Sequence, residues 1–289
     1  MSNRKVAWVA WLLPLALASV PAGLGAQEFY KSFEEAYGAG VRLLRDQQFA
    51  ASQAPLEAAL KLAADDKSRL KAYQALVPAY RQLPEIDKML EAQEFVIRHT
   101  ERRAGRSIAA GNLASFLHQR GKTDAAIARY EAALQTDAKE IAALSVLATI
   151  YTRTKRDAQR GPDLIKRLEA ADKYLAGQLA QRLENDADSA PRTAASILKD
   201  AATAWLEAGD KAKALAAVKK SLSSLPEDRS ELLVFYWRDG LGDVFLATDE
   251  QAEAAKQFEA ALSVVKIDGY RKATEKKLAE AKGALVKKP

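Results

Sequence analysis

The sequence predicts an all-α chain of stacked antiparallel helix pairs, and three observations predict it. Ala, Leu, Glu and Lys, all good helix formers, dominate a chain of 289 residues that holds only 14 Gly and 9 Pro. Apolar and small residues recur at spacings of three and four, as in Ala126, Tyr130 and Ala133-Leu134, which places them on one face of a helix. The same arrangement returns along the chain in units of 34 residues. A unit of two amphipathic helices cannot bury both of its faces alone, so stacking is obligatory.

The composition narrows the chemistry. At 48% hydrophobic and 28% charged the chain can bury a substantial core. The absence of cysteine excludes disulfides, thiolate catalysis and Cys-ligated zinc. Only two histidines exist, His99 and His118, and neither has a second His, Asp or Glu at ligand spacing, so neither a metal centre nor a histidine triad is expected.

Residues 1–26 read as a bacterial secretory signal rather than as part of the fold. Arg4 and Lys5 form a basic start, Val6 to Val20 is uncharged and apolar, and Pro21 to Ala26 is small and turn-prone. Gly23 and Gly25 sit where a signal peptidase reads small residues, which places cleavage near Gly25 or Ala26. An uncleaved membrane anchor is the alternative, since the uncharged run to Ala26 is long enough to span. The expected location is therefore periplasmic or extracellular, with no membrane insertion of the mature chain. Removal of Arg4 and Lys5 lowers the formal charge from +6 to +4, with both signs interspersed, and no nucleic-acid partner is expected.

Residues 27–289 form the repeat region. Counting Phe33 as position 1 puts Gly40 at 8, Leu43 at 11, Leu56 at 24 and Ala59-Leu60 at 27 and 28. From Ser107 the same count gives Ala114, Leu117, Ala126 at 20, Tyr130 and Ala133-Leu134, with a turn at Gly121 to Thr123 between the helices. From Ala195 it gives Ala202, Trp205, Ala214, Val218, Ser221-Leu222 and Pro226 at 32; from Phe235 it gives Gly242, Phe245, Ala254, Phe258 and Ala261-Leu262.

These units resemble tetratricopeptide repeats (TPRs), which set a small residue at 8, large apolar residues at 11 and 24, alanine at 20 and 27, and often proline at 32. The resemblance implies a right-handed superhelical α-solenoid with units at about 33–66, 107–140, 195–228 and 235–268. Residues 67–100 read as a degenerate unit, interrupted by Pro78 and Pro84 and carrying Gln93 where alanine is expected. Thr100 to Arg106 reads as a basic connector. Residues 141–184 read as an irregular unit with a loop from Thr152 to Gly161, Pro162 in the first turn of a helix ending near Glu184, and a polar turn from Asn185 to Ala190 before Pro191 opens the next helix. Asp268-Gly269 is expected to break the chain before a capping helix over 270–287, with a stripe of Ala273, Leu278, Ala281 and Leu285.

Two motifs invite catalytic readings that their context removes. Gly121-Lys122-Thr123 lacks the earlier glycine and the strand of a phosphate loop, and as a turn it is fully explained. Ser68 with Lys71 and Ser196 with Lys199 match Ser-x-x-Lys, but no companion motif accompanies them. No cofactor is expected. What the resemblance implies is a non-catalytic scaffold that binds a peptide or protein in a concave groove. Its groove positions fall on Tyr37, Lys71, Ile108, Ser115, His118, Lys199, Thr203, Tyr236 and Asp239. The carboxylate clamp known in the family is not implied, because Ala75 and Thr203 stand where its asparagines belong. A self-associating envelope factor, or an accessory subunit of an envelope enzyme, is the alternative.

Overall fold

The computed structural model describes residues 30–82, 86–155, 157–224 and 230–286; the signal segment, Pro84, Pro226 and the side chain of Leu285 lie outside what it describes. Among the described residues there are thirteen α-helices and no strand. Six antiparallel pairs follow one another: α1 (Phe33–Arg45) with α2 (Phe49–Leu62), α3 (Asp66–Gln82) with α4 (Ile86–His99), α5 (Arg103–Gln119) with α6 (Thr123–Thr136), α7 (Ile141–Thr154) with α8 (Arg160–Ser189), α9 (Ala194–Ala208) with α10 (Lys211–Ser223), and α11 (Glu231–Ala247) with α12 (Gln251–Val264). A last helix, α13 (Asp268–Val286), closes the stack against α12 and α11. The chain is an all-α solenoid with a capping helix.

Local chemistry starts and stops these helices. Ser32 caps α1 by accepting from the Glu35 N–H at 3.2 Å, and Asp210 caps α10 by accepting from the Lys213 N–H at 2.9 Å. The turns after α5 and α9 use the left-handed backbone of Gly121 (φ +66°) and Gly209 (φ +85°), which a side chain would strain.

Packing inside each pair follows the 34-residue count. Gly40 lies against Leu56, and Gly242 against the Phe258 ring, so position 8 meets position 24. Leu56, Tyr130, Val218 and Phe258 are all buried, as are the small residues Ser52, Ala126, Ala214 and Ala254 at position 20. Polar stitches then join one pair to the next. Glu57 on α2 accepts from Tyr80 on α3 at 2.9 Å and from Lys88 on α4 at 3.0 Å.

The buried side chains form two main cores, and α8 belongs to both. Leu164 near its start lies in the core shared by α2 to α7, whereas Leu179 and Ala180 lie in the core of α9 to α13. Asp172, midway along α8, is buried against Arg106 at the start of α5.

Several boundaries differ from the expected ones, each for a local reason. Pro78 does not interrupt α3: it faces solvent, as does Gln74, whose carbonyl would otherwise have needed the missing N–H, while Ala79 and Tyr80 beyond it are buried. The basic connector is shorter than expected, because α5 begins at Arg103 and turns Arg106 inward to Asp172. α7 reaches Thr154 and α8 opens at Arg160, so both helices extend into the expected loop from Thr152 to Gly161, and Pro162 sits in the first turn as expected. Asn185 to Ser189 continue α8 rather than turn, since Ala187 is buried against Ala194 and Leu198. Pro191 lies in a turn, and α9 starts three residues later. Asp268 opens α13 instead of breaking the chain, its carboxylate suited to the positive end of a helix. On α13 the inward stripe is Thr274 and Ala281, both buried, with Leu278 half-buried between them and Ala273 exposed. Ala133 is only half-buried and borders a cavity of about 310 Å³, so position 27 is not tightly covered there.

Two measurements check this packing. Gly242→Ala places a methyl inside the Phe258 ring and is expected to cost ~1–3 kcal/mol, while Gly38→Ala, which meets nothing within 4 Å, gains ~0.5–1 kcal/mol in a thermal melt. Equal shifts in melting temperature would contradict the contact between positions 8 and 24. For Glu57, burial raises the carboxyl pKa, but hydrogen bonds from Gln53, Lys88 and Tyr80 outweigh it and bring the value below the ordinary 4.5. Its stabilising contribution is therefore complete above pH 4.5 and lost as pH falls through the folded value. Glu57→Gln is expected to flatten the acid limb of a melting-temperature titration, and an unchanged limb would show that other carboxylates govern it.

Candidate functional site

The first helices of successive pairs form a row in which α1 packs on α3, α5 on α7, and α9 on α11. The expected groove residues lie on this row in separate groups. Tyr37 is half-buried, its ring stacked on Phe33 at 5.4 Å, and Lys71 is exposed on α3. Ile108 on α5 is 66% exposed, an unusual position for an isoleucine. Ser115 and His118 share a pocket of about 300 Å³ with Ile150 and Arg153 of α7. There Arg153 donates to Ser115 Oγ at 2.6 Å, and Ser115 donates to the Gly111 carbonyl at 2.8 Å, so the hydroxyl is engaged on both sides.

Farther along, Lys199 Nζ lies 3.0 Å from the Asp200 carboxylate, its stem crossing to Gly240 on α11. Thr203 donates to the Lys199 carbonyl at 3.1 Å, within its own helix. Tyr236 meets Tyr270 edge-on at 5.5 Å, and its hydrogen bond to Tyr270, then partial desolvation, raises its hydroxyl pKa. Asp239 accepts from Thr274 and from Lys277, each at 2.8 Å, and Lys277 also reaches Asp243 at 2.7 Å. Tyr236 and Asp239 therefore hold the capping helix, which is a structural duty the sequence count did not show.

A cleft lies where the row opens between α3 and α5. It encloses about 780 Å³ and is walled by Asp66, Lys67, Leu70 and Gln74 of α3, Arg98 and His99 of α4, the segment from Thr100 to Arg102, and Leu175, Leu179 and Arg182 of α8. Arg106 closes its inner end. That guanidinium is 3% exposed, pairs with Asp172 at 2.6 Å, and donates to the carbonyls of Thr100 at 2.9 Å and Glu101 at 2.7 Å. Arg98 bonds Glu94 and Glu140; burial lowers its pKa, but these two carboxylates outweigh it and raise the value. Arg102 donates to the Asp200 carbonyl at 3.3 Å, yet its Nη1 is buried without a hydrogen-bond partner among the described residues, 3.7 Å from Glu207. The basic connector expected from the sequence supplies one wall of this cleft, and the α3 and α4 helices another. The remaining wall comes from α8, whose reach across the start of α5 has no signature in the period.

Glu94 is a contrasting buried carboxylate. It is 6% exposed, accepts from Tyr130 at 2.9 Å and from Arg129 at 3.0 Å, and so ties α4 to α6. Burial and the Glu94 charge push the Tyr130 hydroxyl pKa far up, which keeps it a neutral donor. The described residues contain no group of three His, Asp or Glu side chains placed to hold a metal ion. Gly121 and Lys122 lie in the expected turn and Thr123 opens α6, and both Ser-x-x-Lys pairs lie within helices.

No protein-family model matches the chain. No curated protein is similar to it. Among solved structures it is similar to a thermophilic TPR protein of Thermus thermophilus, at 19% identity over 86% of this chain and 100% of that one, with a TM-score of 0.33. It is likewise similar to a tetratricopeptide repeat protein of Parabacteroides merdae, at 15% identity over 87% of this chain and 99% of that one, with a TM-score of 0.30.

The buried pair at the inner end of the cleft gives a direct test of what shapes it. Arg106→Met leaves Asp172 buried with only the half-exposed Arg103 beside it, and is expected to cost ~3–5 kcal/mol in chemical denaturation. Adding Asp172→Leu is expected to restore most of that loss. A single variant as stable as the double would show that Arg103 alone satisfies Asp172.

Proposed function

We propose that the chain is a non-catalytic scaffold of bacterial origin, exported across the inner membrane, that binds a segment of another protein along its row of first helices and in the cleft between α3 and α5. The observation that carries this reading is the cleft of about 780 Å³, open to solvent and walled by α3, α4, α8 and a short connector. Such a wall presents its side chains already ordered, so a partner loses little to conformational entropy on our protein's side. Export rests on the sequence pattern of residues 1–26. Among the described residues, no helix is long and apolar enough to cross a membrane.

A second reading, self-association, draws on the last unit. Leu232, Leu233, Tyr236, Ile267 and Tyr270 are all exposed there, and the two tyrosines touch. Apolar side chains gathered in this way favour contact with another surface.

Affinity capture from bacterial envelope extract, with the full chain as bait, tests the scaffold. A partner is expected that is retained by the wild type and lost on combined Lys71→Glu, Ile108→Asp and His118→Ala substitution, three side chains exposed on α3 and α5. A partner held equally well by the substituted chain would remove the groove from this account. Light scattering across a concentration series decides the second reading: a mass that stays monomeric ends it.

A further inference from the structure

We infer that the pocket between α5, α7 and the start of α6 is a binding site for a small phosphate monoester, a tetrahedral oxyanion carried on an apolar body. The site is separate from the scaffold reading, since its ligand is a small molecule rather than a segment of protein. The pocket encloses about 300 Å³, at the lower end of the range for small-molecule sites. Arg153, His118, Ser115 and Thr123 line it, and among the described residues no carboxylate does.

The state of Arg153 commits the pocket to an anion. Each arginine of the cleft beside α8 already has a carboxylate partner, whereas Arg153 has none among the described residues. Only neutral acceptors hold it. Its Nη1 donates to Ser115 Oγ at 2.6 Å and to the Gly111 carbonyl at 3.2 Å, while Nε and Nη2 make no hydrogen bond among the described residues. Those two nitrogens share one edge of the guanidinium, and such an edge matches two oxygens of a phosphate. Gly111 gives that edge its place. A Cβ there would stand 3.2 Å from Nη2, so the glycine lets the guanidinium rest against α5.

An independent observation lies at Thr123. The residue opens α6, is only 9% exposed and lines the pocket, yet its hydroxyl makes no hydrogen bond among the described residues. A hydroxyl so enclosed costs free energy that a ligand oxygen recovers. Lys122 gives α6 no side-chain cap, which leaves the positive end of that helix beside the same wall. His118 is exposed and adds a ring nitrogen. Ala114 and Ile150 supply apolar surface next to these polar groups, on which the carbon body of a monoester can rest.

The test is isothermal titration calorimetry of the full chain with phenyl phosphate, in phosphate-free buffer. Binding is expected, with inorganic phosphate weaker because it has no body to lay on Ile150. Arg153→Gln is expected to weaken phenyl phosphate roughly tenfold or more, and Thr123→Val, which keeps the shape and removes the hydroxyl, roughly three- to tenfold. Arg153 is exposed, so the fold is expected to survive its loss, and a thermal melt checks both variants. Lys256→Gln, on α12, is expected to leave binding unchanged. No heat of binding, equal affinity in Arg153→Gln, or benzoate bound as tightly as phenyl phosphate would each overturn the proposal. None of these results bears on a protein partner captured by the scaffold, so the two readings fail separately.

Discussion

A pair of antiparallel helices with apolar residues on two faces has only one face covered by its own partner, and every other feature of this chain follows from how the second face is buried. Close approach within a pair depends on a small residue opposite a large one. Gly40 meets Leu56 and Gly242 meets Phe258, and no larger residue fits at either glycine without moving its neighbour. The outer faces then go to the next pair, so that buried residues run almost without interruption from Leu56 to Leu164. The stack ends where a helix can keep one wet face. On α13, Thr274, Leu278 and Ala281 turn inward, and Lys277 anchors to Asp239 and Asp243.

The departure from this rule is α8. It runs from Arg160 to Ser189, while its hairpin partner α7 runs only from Ile141 to Thr154, so much of α8 has no partner within its own pair. That excess length is covered from elsewhere, by the start of α5 and by α9. The contacts are of two kinds. Ala180 and Leu179 are packed as ordinary core against the following unit. Asp172 instead meets Arg106, a buried ion pair whose partners are each bonded further, Arg106 to two backbone carbonyls. Leucines would fill the same space with less desolvation cost, but only a directional pair sets where along α8 the start of α5 must sit.

How much of this was legible in the sequence depended on whether a residue's duty was periodic. Ala114, Ala126 and Tyr130 announced their packing because each recurs at a fixed place in several units, and all three are buried. Gly121 announced its turn for the same reason. Pro78 misled, because a proline on a solvent-facing side costs one hydrogen bond that water replaces, and burial of Tyr80 carries the helix onward. Asp239 stands at a groove position by count, yet it is taken by Lys277, a contact between residues 38 apart that no local pattern encodes. In the sequence Arg106 is the end of a basic connector. Nothing nearby in the chain shows that Asp172, 66 residues on, arrives to bury it.

This contrast bears on where specificity resides. Residues that make a repeat recognisable are constrained to pack, and a side chain fully committed to a neighbouring helix has nothing to offer a partner. Surface that is free to specialise arises where the period fails and two elements meet out of step. In this chain the failure is the overshoot of α8, and it places Leu175 to Arg182 opposite α3 and the end of α4 with a gap between them. A regular stack would have closed that gap with a further first helix. Arg98 and Arg106 beside it are held by Glu94, Glu140 and Asp172, carboxylates that do not line the cleft. This cleft is thus a product of the least regular repeat.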